Sequence, residues 1–401
     1  MTEGAVMSEA LEVPLYMRRY GLDPGKELDE ILETEGVVQV ALPDDTPAYL
    51  VCRYEDARQV LSDPQRFTSV LPRSIGAHLD DEERRRLQAG TMLLFDPPEH
   101  TRLRRTMTPQ FTARRLERLE PTIAGIVESA LDDLEGAGKP ADLVRHFALP
   151  VPLLVICELV GVEGDDHAEM TDRFTRLMDL SLTPQQHTAV HAENRRFLAE
   201  LVIRARAAPG ENLLGMLVRE HGAQLSTEEV VGIVASLLIG GHETTSGMLS
   251  LGTLALLQHP DQLAMVRDDP TKAQQAVEEL LRFLSVVSVT GRTTTTDVHL
   301  AGRTIPAGSS VLISLPRANR DRAFLRDADR LDIDRAAPGH VAFGHGVHRC
   351  LGAPLARLQM RIAFPALLRR FPGLALAQPD AEPAFRPFGA VYGVETLPVT
   401  W

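Results

Sequence analysis

The sequence has few cysteines: Cys52, Cys157 and Cys350 are the three in 401 residues, and no two of them lie close together. An odd number of scattered cysteines argues against a disulfide scaffold. A long apolar run is also lacking, since VVGIVASLLIGG from residue 230 is shorter than the roughly 20 residues that cross a bilayer. The N-terminal sequence MTEGAVMSEALEVPLYMRRYG has no apolar core typical of a secretory signal. These absences predict a cytoplasmic protein with no membrane anchor.

Positive charge is in the minority. There are 42 lysines and arginines against 55 aspartates and glutamates, which gives a formal net charge of −13. A protein that binds nucleic-acid phosphates usually has the opposite balance, so no nucleic-acid partner is expected. The chain shows no internal repeat and no low-complexity linker. We therefore expect residues 1–401 to form one domain.

Hydrophobic periodicity predicts a mainly α fold. Apolar residues recur at helical spacing over about 98–285 and again over about 350–372. Residues that are β-branched, together with turn glycines, predict a small β-rich lobe from about 36–70, about 286–315 and the C-terminal tail. The expected architecture is a single large helical part with this lobe attached.

A long central helix is predicted within the helical part. Ser226 and Glu229 form a capping box that marks its start, and the pattern continues to about Gln258. Such a helix is roughly 48 Å long. Gly240 and Gly241 interrupt its apolar residues and predict a local distortion of the helix.

The stretch VAFGHGVHRCLGAPLARLQ, residues 341–359, places Cys350 directly before another predicted helix. The peptide dipoles and free N–H groups of a helix start favour a thiolate. Gly344, Gly346 and Gly352 let the backbone approach a flat, bulky group. Phe343 completes the spacing F-x-x-G-x-x-x-C-x-G around the cysteine.

Two other interpretations of Cys350 remain open. It could be a buried structural cysteine, which is the common role of an isolated thiol. It could also join His345 and His348 in a zinc or copper site. The metal site is the weaker of the two, because no second cluster in the sequence completes four ligands.

Two further motifs lie on predicted helices. LLIGGHETTSGML places Glu243 and Thr244 in the long helix, and Ser246 stands where an HExxH zinc motif would have its second histidine. A bend made by the threonine is the structural alternative. EELLR places Glu279 and Arg282 on one helix face, where such pairs are usually exposed and contribute little stability.

A fourth motif, DPPEHTRLRR, places His100 and Arg104 on one face of a helix. Together with Arg292 and His348, these side chains could bind a pair of carboxylates through charge-assisted hydrogen bonds. The alternative is a solvated basic start of a helix.

The four motifs, in this order, resemble the cytochrome P-450 family of haem-thiolate monooxygenases, and the similarity runs from about residue 35 to the C-terminus. FGHGVHRCLG is the specific match, supported by GGHETT, EELLR and HTRLR. The flanking sequence is similar to soluble actinobacterial members that act on polyketides and other secondary metabolites. Two positions depart from the pattern: Gly240 stands where alanine is frequent, and Arg322 where proline is common.

The resemblance implies a role for each motif. Cys350 would ligate the iron of haem b through its thiolate, with Phe343, Gly344 and Gly352 around the sulfur. Glu243 and Thr244 would deliver protons beside bound O2, the co-substrate. The haem propionates would be held by His100, Arg104, Arg292 and His348. Glu279 and Arg282 would form a structural pair, joined by an arginine of the 316–322 loop.

The resemblance also implies partners and a substrate. A separate ferredoxin and an NAD(P)H-dependent ferredoxin reductase would supply electrons, so that NAD(P)H acts only indirectly. Arg105, Arg349 and Arg357 are the candidate ferredoxin contacts. A hydrophobic small molecule, such as a macrolide or polyketide intermediate, would be hydroxylated or epoxidised; a terpenoid or a carrier-bound amino acid also fits. The predicted pocket walls are the 68–95 loop, the 170–190 region, Ala235, Ile239, Gly240, Val287, Val289 and Val391.

Three other functions stay open at this stage. A haem-binding sensor would bind a ligand without oxygenating it, although it would have no need of Glu243 and Thr244. An enzyme of the same family could instead couple phenolic rings oxidatively. A zinc-binding interaction protein is the most distant alternative.

Overall fold

The computed structural model describes residues 13–42, 45–70, 81–162, 164, 169–170, 173, 176–177, 184–335, 338–386 and 391–401. The helices, numbered along the described chain, are α1 Glu27–Thr34, α2 Tyr54–Ser62, α3 Asp81–Gln88, α4 Glu99–Met107, α5 Ala113–Glu117, α6 Glu120–Gly136, α7 Pro150–Val160, α8 Pro184–Ala207, α9 Leu213–His221, α10 Thr227–Gln258, α11 Pro260–Asp268, α12 Ala273–Leu284, α13 Leu315–Asn319 and α14 Ala353–Arg370. The strands are β1 Arg19–Tyr20, β2 Asp23–Pro24, β3 Val37–Ala41, β4 Pro47–Val51, β5 Phe67–Thr68, β6 Ala141–Asp142, β7 Val289–Thr294, β8 Val298–Leu300, β9 Arg303–Ile305, β10 Ser310–Ser314, β11 Ala375–Leu376 and β12 Pro398–Thr400.

The main sheet has five strands in the order β3-β4-β10-β7-β5. Strand β10 lies at its centre, parallel to β4 and antiparallel to β7, so the sheet joins the start of the chain to residues far along it. The C-terminal tail is predicted to belong to the same β-rich lobe as residues 36–70 and 286–315. Its strand β12 pairs instead with β11 and β6, in a separate three-stranded sheet.

Helix α10 is the central helix that the capping box predicts. The Ser226 side chain accepts from the Glu229 amide while the Glu229 side chain accepts from the Ser226 amide, and the helix ends at Gln258. It packs against α7, α8, α12 and α14. Residues 227–258 are α-helical without interruption, so Gly240 and Gly241 do not break the helix.

The N-terminal segment is bound to residues much later in the chain. The Arg19 guanidinium donates to the carbonyls of Leu284 and Ser285 at 2.8 and 2.7 Å. The Tyr392 hydroxyl donates to the Gly21 carbonyl at 2.9 Å. The Arg19 bonds therefore fix the end of α12, and the Tyr392 bond ties the same N-terminal segment to the C-terminal part of the chain.

Glu279 and Arg282 form a fully buried ion pair on α12, not the exposed pair typical of this spacing. The guanidinium donates to both carboxylate oxygens at 2.8 Å, and neither side chain is exposed to solvent. The third member is Arg335, whose Nε lies 3.5 Å from Glu279 Oε1. The prediction of an arginine from the 316–322 loop is therefore wrong. Those arginines pair instead with Asp23, Asp29 and Asp329.

Candidate functional site

A cavity of about 660 Å³ lies at the centre of the protein, between α10 and the loop that precedes α14. Its walls come from α4, the turn Met92–Leu94, α10, residues 285–293 and the loop 342–352. Most of the lining side chains are apolar, and the size is typical of sites for bulky organic ligands. Cys350, Thr244 and the histidines of two predicted motifs all line it.

The loop before α14 is shaped by two glycines. Gly344 and Gly346 have φ values of +69° and +71°, which side chains rarely adopt. The Cys350 amide donates to the Phe343 carbonyl at 2.9 Å and closes the loop. A side chain at Gly346 would overlap the Leu61 carbonyl oxygen, so this glycine permits contact with the end of α2 and not with a ligand.

The Cys350 thiol opens onto the cavity but is otherwise enclosed by protein. Burial raises its pKa, whereas the backbone N–H groups of Gly352 and Ala353 and the charges of Arg104 and Arg349 oppose that rise. The helix start therefore acts on the thiol in the direction that the sequence indicates, and burial, which the sequence does not show, outweighs it. Gly352 contributes its N–H group; its φ of −78° is ordinary.

The face of α10 that borders the cavity follows the helical repeat. Ile233, Ser236, Leu237, Gly240, Gly241, Thr244, Thr245 and Met248 line it. The Thr244 hydroxyl donates to the Gly240 carbonyl at 2.7 Å. A side chain at Gly240 would extend into open space, so the glycine leaves room directly beside this hydroxyl.

Glu243 lies next to this face but does not line the cavity. Burial raises the pKa of its carboxyl, and the positive charge of Arg386 opposes that rise. Thr244 and Glu243 are thus neighbours on α10: Thr244 lines the cavity, and Glu243 lies just outside the lining.

Two buried histidines from separate motifs meet at one end of the cavity. The rings of His100 and His348 are 4.2 Å apart, and none of their nitrogens has a hydrogen-bond partner in the described chain. Burial lowers the pKa of both, that of His348 to about 4. Arg292 and Arg104 carry positive charge into the same region, where burial lowers the pKa of each.

This cluster fits an acidic ligand. Buried nitrogens without partners cost stability unless a bound group satisfies them. The carboxylates of haem would supply acceptors to both rings and to the two guanidinium groups, so these four side chains suit the propionates.

Sequence reasoning misses Asp96, which comes just before this motif. Its carboxylate accepts from the Thr68 hydroxyl and, at 3.1 Å, from the Ser69 amide, and it lies 3.7 Å from His348 Nε2. The DPPEH sequence contains the residue, but only the fold brings it to the histidines.

Of the predicted wall residues, the structure places Gly240 and Val287 on the cavity. Ala235 and Ile239 face the other side of α10, where they pack on the hydrophobic core. Val289 and Val391 also lie outside the lining. Val391 forms an antiparallel β-bridge with Val287, which does line the cavity. Residues 71–80 of the predicted 68–95 loop and residues 171–172, 174–175 and 178–183 of the predicted 170–190 region lie outside the described residues.

Arg357 differs from the other proposed ferredoxin contacts, because it has a partner within the protein. Its guanidinium donates to Glu278 and lies 4.6 Å from the centre of the Phe343 ring. The same contacts with Arg357 and with His340 bring the pKa of Glu278 down to about 2 against the opposing effect of burial. Arg105 and Arg349 are exposed.

The described residues contain no group of three histidine, cysteine or acidic side chains that could hold a metal ion, which removes the zinc alternative for that part of the chain. Nor is any helix among them both long and apolar enough to cross a membrane.

The family model described as Cytochrome P-450 matches residues 164–391. A relative from Rhodococcoides fascians, cytochrome P-450 FAS1, is 48% identical over 98% of this chain and 100% of its own. The chain belongs to the cytochrome P-450 family. Two solved P-450 structures resemble it throughout. StaH from glycopeptide antibiotic biosynthesis has a TM-score of 0.89 at 44% identity, covering 97% of this chain and 100% of that one. OxyC, implicated in oxidative C–C coupling during vancomycin biosynthesis, has a TM-score of 0.88 at 39% identity, covering 96% of each.

Membership confirms the predicted family, fold class and cofactor. The P-450 is a haem-thiolate monooxygenase that uses O2 and receives NAD(P)H electrons through redox partners. Among its three cysteines, Cys350 alone lines the cavity, because Cys52 and Cys157 are fully buried elsewhere. Cys350 is therefore the one cysteine that this cavity could offer to haem iron.

Proposed function

We propose that this P-450 inserts one oxygen atom from O2 into a C–H or C=C bond of a bulky hydrophobic biosynthetic intermediate of the macrolide or polyketide type. The observation that carries the proposal is the arrangement of one cavity. It has a thiol on one side, the Thr244 hydroxyl on the other, and apolar walls between them. A haem-binding sensor would need the Cys350 thiol and the apolar walls, but it would not need the Thr244 hydroxyl or the neighbouring Glu243 carboxyl.

Haem iron bound to Cys350 supplies the oxygen activation. The protein's own contribution begins with orientation. His100, Arg104, Arg292 and His348 would hold the propionates at one end, and the N–H groups of Gly352 and Ala353 would stabilise the thiolate. Phe343 lines the cavity in the same loop as Cys350, and the Arg357 guanidinium lies over its ring.

Proton delivery would fall to Thr244 and Glu243. The Thr244 hydroxyl, anchored to the Gly240 carbonyl, presents its oxygen to the space beside it and can hold water there. Glu243 would pass protons from solvent to that hydroxyl, since its raised pKa brings it closer to the working pH.

Loss of the hydroxyl should separate electron use from product formation. We expect Thr244→Ala to bind haem and substrate normally and to lose coupling about tenfold, with electrons released as hydrogen peroxide. Thr253→Ala is the matched control, because the Thr253 hydroxyl also donates to a carbonyl four residues back but is buried away from the cavity. Full coupling in Thr244→Ala would contradict the proton role.

The carbon-monoxide difference spectrum of the reduced protein tests the ligand. A red-shifted Soret band is expected for the wild type, and Cys350→His should retain haem without that band. Cys157→Ser should leave the spectrum unchanged. A red-shifted band that survives in Cys350→His would exclude Cys350 as the ligand.

Arg105 and Arg349 are the proposed contacts for an acidic ferredoxin, because both are exposed, Arg349 directly before Cys350 and Arg105 directly after Arg104, whose charge acts on the Cys350 thiol. Reversing either charge should slow ferredoxin-dependent turnover and spare turnover driven by peroxide. Arg357 is not a suitable site for this test, since its ion pair with Glu278 supports Phe343.

Oxidative coupling of aromatic rings is the second candidate. Similarity to StaH and OxyC, whose descriptions name glycopeptide antibiotic and vancomycin biosynthesis, favours it. The two reactions differ in mass balance: insertion adds one oxygen atom, whereas coupling removes two hydrogen atoms and reduces O2 to water. Turnover under heavy-isotope-labelled O2 with mass analysis of the product separates them, since only insertion carries the label into the product.

A further inference from the structure

Residues 285–287 form the part of the cavity wall that follows α12, and the turn at the end of this helix shapes it. Ser285, Val286 and Val287 all line the cavity. Ser285 has a φ of +40°, in the left-handed region that residues with a side chain rarely adopt. Its amide donates to the Leu281 carbonyl at 3.0 Å, so the helix ends at this turn. The turn therefore determines where the next two valines lie.

Arg19 binds this turn from the start of the chain. The last carbonyls of a helix have no donor within it, and they carry the negative end of the helix dipole. Arg19 Nη1 donates to the Leu284 carbonyl at 2.8 Å, and Nη2 donates to the Ser285 carbonyl at 2.7 Å. Burial lowers the pKa of Arg19 to about 10, so the guanidinium stays charged near pH 7. One cationic side chain thus satisfies both carbonyls at the turn that leads into the wall.

Tyr392 binds the same wall from the C-terminal part of the chain. Its amide donates to the Val286 carbonyl at 2.7 Å, next to the carbonyls that Arg19 binds. Its hydroxyl donates to the Gly21 carbonyl at 2.9 Å, and the Arg19 guanidinium lies 4.6 Å from the centre of its ring. The segment that contains Arg19 is therefore itself held in place against the wall.

Other contacts hold the wall without the help of Arg19. The Ser285 hydroxyl accepts from Asn319 Nδ2 at 2.7 Å, and Val287 forms an antiparallel β-bridge with Val391. These contacts lie on either side of Val286 and involve neither carbonyl that Arg19 binds. Loss of the Arg19 bonds should therefore loosen the turn without unfolding the wall.

We propose that Arg19 is a positioning residue for the cavity wall. It holds the end of α12 so that Val286 and Val287 keep one position, and it thereby restricts the size of the molecules that the cavity accepts. None of residues 13–24 lines the cavity, so the arginine acts on a substrate only through the wall. The inference concerns the shape of the site, and it holds for oxygen insertion and for oxidative coupling alike.

Three variants of the haem-loaded protein test the inference. Arg19→Gln removes the charge and the paired donors, whereas Arg19→Lys keeps the charge at the helix end but not the two-pronged geometry. Arg18→Gln is the matched control, because Arg18 is the adjacent arginine and its guanidinium donates to the Val13 carbonyl and the Glu27 carboxylate. Haem content and the carbon-monoxide difference spectrum should match the wild type in all three variants.

Two azole probes of different size report the space beside the wall. Imidazole and tritylimidazole both bind haem iron through a ring nitrogen, and the shift of the Soret band gives each dissociation constant. The three phenyl rings of tritylimidazole fill far more of the cavity than imidazole does. We expect Arg19→Gln to raise the affinity for tritylimidazole relative to imidazole at least about fivefold, because the released wall can move aside. Arg19→Lys should give an intermediate ratio, and Arg18→Gln should match the wild type.

Amide hydrogen exchange gives a second readout that needs no ligand. The Tyr392 amide is protected by its bond to the Val286 carbonyl, and the Leu143 amide by its bond to the Leu397 carbonyl in a different sheet. In Arg19→Gln the Tyr392 amide should exchange at least about threefold faster than in the wild type, while the Leu143 amide keeps its rate. This difference separates a local release of the wall from a general loss of stability.

An unchanged ratio of the two dissociation constants in Arg19→Gln would overturn the inference, and so would equal acceleration of both amides. If Arg19→Gln does not fold, Tyr392→Phe replaces it, because phenylalanine keeps the ring but loses the bond to the Gly21 carbonyl. Its affinity ratio should change in the same direction, and an unchanged ratio would again overturn the inference. The labelled-O2 experiment on the proposed function can fail without altering either of these readouts.

Discussion

The buried pair on α12 allows a quantitative prediction for Arg282→Lys. In the wild type the guanidinium makes two bonds to Glu279 and three more to the carbonyls of Asn319, Ala328 and Arg330, at 2.7 to 3.1 Å. A lysine keeps the charge but has one nitrogen, which cannot reach all of these acceptors.

The expected loss follows from the bonds that lysine cannot make. At least two charge-assisted hydrogen bonds disappear, each contributing about 1.5–3 kcal/mol. Arg335 and the Asp332 amide still contact Glu279, which limits the cost of the buried carboxylate. We therefore expect the free energy of unfolding to fall by about 3–5 kcal/mol, a large share of the roughly 5–15 kcal/mol of an ordinary domain.

Urea unfolding followed by far-ultraviolet circular dichroism measures the change. Arg267→Lys is the matched control, because Arg267 pairs with Asp268 on the surface and should change stability by less than about 0.5 kcal/mol. Equal stability of the two variants would refute the reasoning, since it would mean that the five bonds of Arg282 contribute no more than one exposed pair.

Three further predictions concern other parts of the protein. Gly232→Ala should lower the free energy of unfolding, measured by urea unfolding, by about 1–3 kcal/mol, because the new methyl group would overlap the Ala89 carbonyl oxygen; Gly125→Ala, with open space around it, should not lower it. His348→Phe should reduce the haem retained per protein through two gel-filtration steps, measured by absorbance, and equal retention would contradict its role as a propionate ligand. Glu243→Gln should be more stable than the wild type at pH 7 and equal to it below about pH 4.5, as melting temperatures would show. The sign follows because a raised pKa gives stability that is full below the unfolded value of 4.5 and is lost as pH rises.

Local signals in the sequence predict the ends of α10 and the pairing on α12. The capping box of Ser226 and Glu229 involves residues three apart, and Glu279 and Arg282 have the same spacing. Such contacts form within one helical turn, so the sequence contains all that is needed to find them. Arg335 joins the pair through the path of the chain after β10, which no local pattern encodes.

The wall of the cavity shows what local patterns leave undetermined. The helical repeat gives the spacing of wall residues on α10, but its rotation about the axis depends on polarity differences around the helix. The helix is apolar on most sides, and the predicted wall includes Ala235 and Ile239, whereas the structure places Ser236 and Leu237 on the cavity beside the correctly predicted Gly240. The pKa of Cys350 likewise depends on burial, which follows from the assembled fold.

The pairing of the chain's early residues with its late ones affects the order of events during synthesis. Strands β3 and β4 pair with each other, but they join the rest of the sheet only through β10, and Arg19 binds the carbonyls of Leu284 and Ser285. The cavity itself includes residues from Leu42 to Met360. The N-terminal part of the chain therefore cannot complete its fold while the later residues are still being synthesised. The site that would enclose haem is therefore complete only after nearly the whole polypeptide has been synthesised.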